Sequence, residues 1–190
     1  MDMRTIVKKN PIIAATELDR LGEAIESPAC AILLMYSKLT RLMEEEQRIR
    51  DSSKPIFLHT DLMNGLSNDK EAFRFLSTYI KPTGIVTTKG PMIRAAKKEG
   101  MLTIQRVFLI DTTSLTSTIK NVLENQPDAI EIMPGIAPSI VPVFKEQLKQ
   151  PIILGGLIWN QEQVLQALEY GADAVSLSRP ELWNHIDQGS

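Results

Sequence analysis

Pro151-Ile152-Ile153-Leu154-Gly155-Gly156 joins a proline, a short apolar run and a glycine pair. Proline has no N–H, so it is tolerated at the first residue of a strand but not in its middle. A short apolar run without strict alternation marks a strand buried on both faces. The same phrase recurs along the chain. It stands at Pro11-Ile12-Ile13-Ala14-Ala15, Ala29-Cys30-Ala31-Ile32-Leu33-Leu34-Met35, Pro55-Ile56-Phe57-Leu58-His59 and Gly84-Ile85-Val86-Thr87-Thr88. It returns at Leu102-Thr103-Ile104-Gln105-Arg106, Ala129-Ile130-Glu131-Ile132-Met133 and Ala172-Asp173-Ala174-Val175-Ser176-Leu177, which makes eight runs in all.

The segments between the runs have helical spacing. Asn68 with Glu71 has the spacing of a capping box, and Ala72, Phe73, Leu76 and Ile80 then line one face. Pro91 stands at the first turn of a segment carrying Ile93 and Ala96. Leu115, Ile119, Val122 and Leu123 share a face, and Asn160 with Gln163 predicts a cap before Val164, Leu165 and Leu168. Residues 37–51 read as one helix with Glu44–Arg48 and Glu46–Arg50 as i,i+4 pairs. Eight buried strands alternating with helices predict a parallel sheet, and eight is the number that closes a (β/α)₈ TIM barrel. The rival, an open doubly wound sheet, would carry a glycine-rich loop after the first strand; the chain has Ala14-Ala15-Thr16-Glu17 there. No linker or charge block divides residues 1–190, so one α/β domain is expected.

Composition sets the outer bounds. The chain has 190 residues, 43% hydrophobic and 23% charged, the balance of a globular domain and not of a coiled coil or a disordered chain. Eight units leave about 24 residues each, whereas such barrels usually need about 250 in total, so the loops must be short. No apolar run approaches the roughly 20 residues of a membrane span. MDMRTIVKKN lacks an apolar stretch of leader type, and a cytosolic location is expected. Cys30 is the sole cysteine, which excludes an intrachain disulfide or cysteine zinc cluster, and the two histidines, His59 and His185, are too few for a multi-histidine metal site. The formal net charge is −2, so contact with nucleic acid would require a local basic patch.

Barrels place their ligand sites at the C-terminal ends of the strands. That rule selects Asp61, Lys89, Arg106 and Glu131, with Gly135, the Gly155-Gly156 pair and Ser178. Glycine lets backbone N–H groups approach phosphate oxygens, and barrel phosphate sites commonly use the loops after strands seven and eight. Gly156 and Ser178 are therefore the expected phosphate contacts, with Gly155 and Gly135 shaping the loops. The short segment Arg179-Pro180-Glu181-Leu182-Trp183 reads as the start of a helix beside them. Lys89 or Arg106 would neutralise an anion, and Asp61 or Glu131 would accept bonds from hydroxyls. The competing reading is a ring of ion pairs, since buried charges pair in any case. An enzymatic reading, an isomerase or lyase acting on phosphosugars, would use Asp61 or Glu131 as base and Lys89 as electrophile. No nucleophile–base pair supports it, no catalytic residue is assigned, and the scattered carboxylates suggest no metal site. His59 is expected as a satisfied barrel histidine and Cys30 as core. The best basic cluster is Arg94, Lys97 and Lys98 on one predicted helix, followed by Arg41, Arg48, Arg50 and Lys54; the alternative for both is a solvated helix face.

His59-Thr60-Asp61-Leu62 with Gly65-Leu66, Gly84 through Lys89, Thr103 through Asp111, Pro127 through Gly135, Ile152 through Ile158, Ala174 through Ser178 and Leu182-Trp183 resemble, in order, motifs of the glycerol uptake operon antiterminator regulatory proteins. The resemblance implies a cytosolic barrel that takes glycerol 3-phosphate as effector and needs no cofactor. It implies binding to the leader mRNA of glycerol-utilisation genes and promotion of antitermination; the resemblance does not name the face, and the basic cluster Arg94, Lys97 and Lys98 is the candidate for it. Leu177 departs from the small polar residue expected between the two serines, which makes Ser178 the better ligand contact than Ser176. A homodimer would widen an RNA surface, but no residue demonstrates one.

Overall fold

A computed structural model describes residues 2–8 and 10–184. His185 lies outside the described residues. Strands β1 (Ile12–Thr16), β2 (Ala31–Leu34), β3 (Ile56–His59), β4 (Gly84–Thr87), β5 (Leu102–Phe108), β6 (Ala129–Met133), β7 (Ile152–Gly155) and β8 (Ala174–Leu177) close into one barrel. Every neighbouring pair is parallel, and β8 returns to β1. This is the (β/α)₈ barrel that the eight runs predict.

Helix α1 (Met3–Val7) precedes the barrel, capped by Asp2, whose carboxylate accepts the Thr5 N–H at 2.8 Å. The outer helices are α2 (Leu21–Glu26), α3 (Leu39–Glu44), α4 (Glu46–Arg50), α5 (Lys70–Phe75), α6 (Gly90–Lys98), α7 (Thr112–Asn125), α8 (Val141–Lys145) and α9 (Gln161–Glu169). Asn160 caps α9 as its spacing predicts, accepting from the Gln163 N–H at 2.9 Å. Two local expectations are corrected. Asp69, not Asn68, caps α5, because it is Asp69 that stands three residues before Ala72, whose N–H it binds at 3.0 Å. The single helix expected over 37–51 is two, broken at Glu45, where ψ is 7°. The break replaces the Glu44–Arg48 pair with Arg41–Glu44 and Glu45–Arg48, while Glu46–Arg50 forms at 2.6 Å.

The register stacks the interior in layers drawn alternately from even and odd strands, as barrel closure requires. From the N-terminal end upward they are Ala31, Gly84, Ala129 and Ala174; then Ile13, Phe57, Ile104 and Ile153; then Leu33, Val86, Glu131 and Ser176; then Ala15, His59, Arg106 and Gly155. The lowest layer is small, and α1 fills the space beneath it: Met3, Ile6 and Val7 join the inner apolar cluster. Gly84 is needed there because a Cβ would strike the Leu102 carbonyl and the Phe57 ring. The alternate residues, such as Ile32, Leu58, Ile132 and Leu154, face outward into the cluster shared with the helices. Each strand thus buries both faces, which explains its apolar sequence.

Phe57 is the one phenyl ring in the four inner layers and is fully buried. Phe57→Ala should cost about 3–5 kcal/mol in a denaturant titration; a loss under ~1 kcal/mol would mean that the interior is not packed around it.

Candidate functional site

The third and fourth layers change character from apolar to polar. Glu131, 1% exposed, accepts from Arg106 Nε at 2.6 Å and from the Ser176 hydroxyl at 2.5 Å. Arg106 is itself 5% exposed. A buried carboxylate and guanidinium are tolerable only when paired and hydrogen-bonded. Gly155 makes the arrangement possible, since a Cβ there would collide with the Ser176 hydroxyl and the Glu131 carboxylate. Among the described residues, the outer nitrogens of Arg106 find only the Met35 sulfur at 3.9 Å. The guanidinium is therefore fixed along one edge, and it also lines a cup of about 580 Å³ at the C-terminal face.

Ala15, Arg106 and Ser176 line the base of this cup, and Gly156 and Ser178 also line it. Gly156 has φ +77°, a conformation that favours glycine, and its carbonyl accepts the Gly135 N–H at 3.0 Å. That bond ties the loop after β6 to the loop after β7. Tyr36, Leu157, Trp159, Arg20 and Arg179 also line the cup.

Of the residues selected from sequence, Arg106, Gly156 and Ser178 line the cup together. Glu131, Gly155 and Gly135 stand behind them and shape it. Ser176 also lines the cup, with its hydroxyl committed to Glu131. Asp61 and Lys89 form a separate node on the same face. Asp61 accepts from the Thr87 hydroxyl at 2.7 Å and from the Thr88 N–H and hydroxyl at 2.7 and 2.8 Å, with Lys89 Nζ at 3.9 Å. Burial pushes the Asp61 carboxyl up, but these threonine bonds outweigh it and hold the group below its ordinary value. Lys89 donates to Asn68 at 2.9 Å. Sequence reasoning missed Arg20, Tyr36 and Trp159, because nothing local distinguishes them from ordinary helix and loop residues.

The basic clusters are largely spent within the fold. Arg94 donates to Asn125 at 2.5 Å, and Lys97 donates to the Gln126 carbonyl at 2.6 Å and pairs with Asp128 at 3.4 Å. Arg41 pairs with Asp19, and Arg50 with Glu46, while Lys54 reaches the Ser27 and Ala29 carbonyls. Cys30 packs against the inner cluster, and burial pushes its thiol up to about 12. His59 is a barrel histidine, 4% exposed, but it is not satisfied as expected: among the described residues Nδ1 has no hydrogen-bond partner. Burial, and then the Arg106 charge, push its imidazole from 6.5 down to about 4, against the pull of Glu131 and Asp61. Among the described residues no cluster of three or more potential metal ligands occurs, and no helix is long and apolar enough to cross a membrane.

Fold and cup together define a closed (β/α)₈ barrel with a buried arginine beneath its C-terminal mouth, the face where such barrels hold their ligands. The chain belongs to the glycerol-3-phosphate responsive antiterminator family, whose model matches residues 12–183. A solved glycerol uptake operon antiterminator regulatory protein from Listeria monocytogenes str. 4b F2365 is 37% identical, with a TM-score of 0.85 over 90% of this chain and 94% of that one. A glycerol uptake operon antiterminator-related protein from Thermotoga maritima MSB8 is 27% identical, with a TM-score of 0.80 over 92% and 98%. The uncharacterized protein YgcP of Escherichia coli (strain K12) is 33% identical over 96% of both chains.

Two outcomes follow from the polar layers. Glu131→Ala would strand a buried guanidinium and should destabilise the fold by about 3–5 kcal/mol in chemical denaturation. His59 binds its proton less readily folded than unfolded, so its contribution is complete above pH 6.5 and is lost as pH falls toward 4. The unfolding free energy should decline over that window, and His59→Gln should flatten the decline.

Proposed function

We propose that this chain is a cytoplasmic, single-domain regulator that takes glycerol 3-phosphate in the cup and binds the leader mRNA of glycerol-utilisation genes to promote antitermination. Membership of a glycerol-3-phosphate responsive family supports the effector. The observation that carries the site is the Arg106 guanidinium, buried, held on one edge by Glu131 and lining the cup. In this reading Arg106 takes the phosphate, because a planar guanidinium offers paired N–H donors to an oxyanion. Backbone N–H groups of Gly156 and Ser178 complete the cradle, with Gly135 and Gly155 fixing the loops. Glu131 acts through Arg106 by orienting it. Asp61 and Lys89 enter as a second polar node, placed to bind ligand hydroxyls after a rearrangement of their loops.

The regulatory family supports a role without catalysis. Effector binding must then favour the RNA-competent state by differential affinity, since a ligand that binds both states equally shifts nothing. Of the basic cluster on α6, Lys98 is the member with no partner among the described side chains, so it is the candidate phosphate contact on that helix.

Glycerol 3-phosphate near 100 Kd should stabilise the fold by about 2.7 kcal/mol, read as a rise in Tm. Arg106→Lys keeps the charge but loses the planar fork, and should abolish most of that rise. A leader-RNA titration with and without the effector tests the regulatory half: absence of salt-sensitive binding under both conditions would overturn it.

A further inference from the structure

We infer that the mouth of the cup is a stacking site for unpaired nucleotides of RNA, with Trp159 and Tyr36 as platforms and Arg179 as the phosphate contact. The inference rests on the RNA-binding reading above and goes beyond it by naming the surface and the form of RNA it takes.

The cup is larger than its proposed effector needs. About 580 Å³ lies in the range of pockets that hold drug-sized ligands, and a three-carbon phosphate ester at Arg106 fills only its base. What lines the rest is aromatic and basic. Trp159 is 55% exposed and Tyr36 63% exposed, while the other tryptophan, Trp183, is buried. Exposed rings also occur elsewhere on this chain, at Tyr79, Phe108 and Tyr170, but Tyr36 and Trp159 are the two that line the cup together. The backbone beside the rings is unusual. Tyr36 has φ +41° and Leu157, two residues before Trp159, has φ +60°, conformations that side-chain-bearing residues rarely adopt.

Charge selects the partner. Arg179 lies 4.9 Å from the centre of the Trp159 ring; its Nε is buried and without a hydrogen-bond partner among the described residues, and the exposed end of the guanidinium is the part that a phosphate can reach. Its other contact is an exposed ion pair with Glu181 at 3.0 Å, of the kind that contributes little and yields readily to a phosphate. Arg20 adds a second positive group beside the cup, paired with Glu23. Of the carboxylates at the mouth, Asp19 is neutralised by Arg41 and Glu17 remains. Exposed aromatic rings interleaved with arginine match single-stranded nucleic acid, whose bases stack and whose phosphates pair. A duplex hides its bases and would not fit. A base seated here would lie directly over the effector, so each would alter the other's affinity by the same factor.

The test uses the full chain with saturating glycerol 3-phosphate, titrated with oligoadenylate and with an RNA duplex of equal length. Tryptophan fluorescence should be quenched by the single strand and not by the duplex. Trp159→Phe should keep affinity within about threefold while losing the quenching. Trp159→Ala and Tyr36→Ala should each weaken binding about fivefold or more, the lower end of stacking free energies. Lys149→Glu, a charge reversal at the opposite end of the barrel, should leave oligoadenylate affinity unchanged. If Lys98→Glu weakens binding and the rim variants do not, the RNA face is α6 and this inference falls while the proposed function stands. If the wild-type chain binds leader RNA but the rim variants bind it equally well, the inference falls alone. If neither oligoadenylate nor leader RNA binds, both fall. If Trp159→Ala instead turns a dimer into a monomer at unchanged RNA affinity, the rim is a self-association face and the inference is overturned.

Discussion

The Arg106–Glu131 pair is the constraint around which the upper half of the barrel is arranged. Two opposite charges lie almost wholly out of water, so each must be met by a partner at bonding distance. Glu131 spends one oxygen on Arg106 and the other on Ser176. Gly155 is side-chain-free so that this triad fits. Strands β5, β6, β7 and β8 are thereby constrained in composition across two adjacent layers, and the arginine is left with one edge bound while it lines the cup. Such a pair contributes less to stability than an apolar core of equal volume would, so its value lies in orientation.

Below that level the barrel follows volume. A small layer lies under a layer with one phenyl ring, and α1 packs against the lower end. The short length also limits the loops. A deep cup on so small a barrel comes from small residues, Ala15 and Gly155, opposite large ones, His59 and Arg106, in one layer.

Much of this was legible in the sequence. The eight runs and their leading prolines carry the topology, because burial on both faces imprints directly on composition. Gly156, Ser178 and Arg106 were legible as cup residues because strand ends in a barrel converge. What the sequence could not reveal is which charges cancel which. Asp61 looks as available as Glu131, but three bonds from Thr87 and Thr88 occupy it. Lys97 looks like a surface charge, but Asp128, far along the chain, meets it. Asn68 and Asp69 are equally good caps, and one residue of phase decides between them; Asn68 serves Lys89 instead. Arg20 and Trp159 line one cup only through closure of the barrel, which brings the loop after β1 and the loop after β7 to the same mouth.

The seal at the lower end has a kinetic meaning. Among the described residues, Met3, Ile6 and Val7 close the lower end beneath the smallest layer, and the polar layers open to solvent at the mouth of the cup. On the proposed reading, an effector at the base would pass Tyr36 and Trp159. Its dwell time would then depend on what stands at the mouth as well as on its own contacts. An occupant of the rim would act as a stopper, so that occupancy above would lengthen residence below.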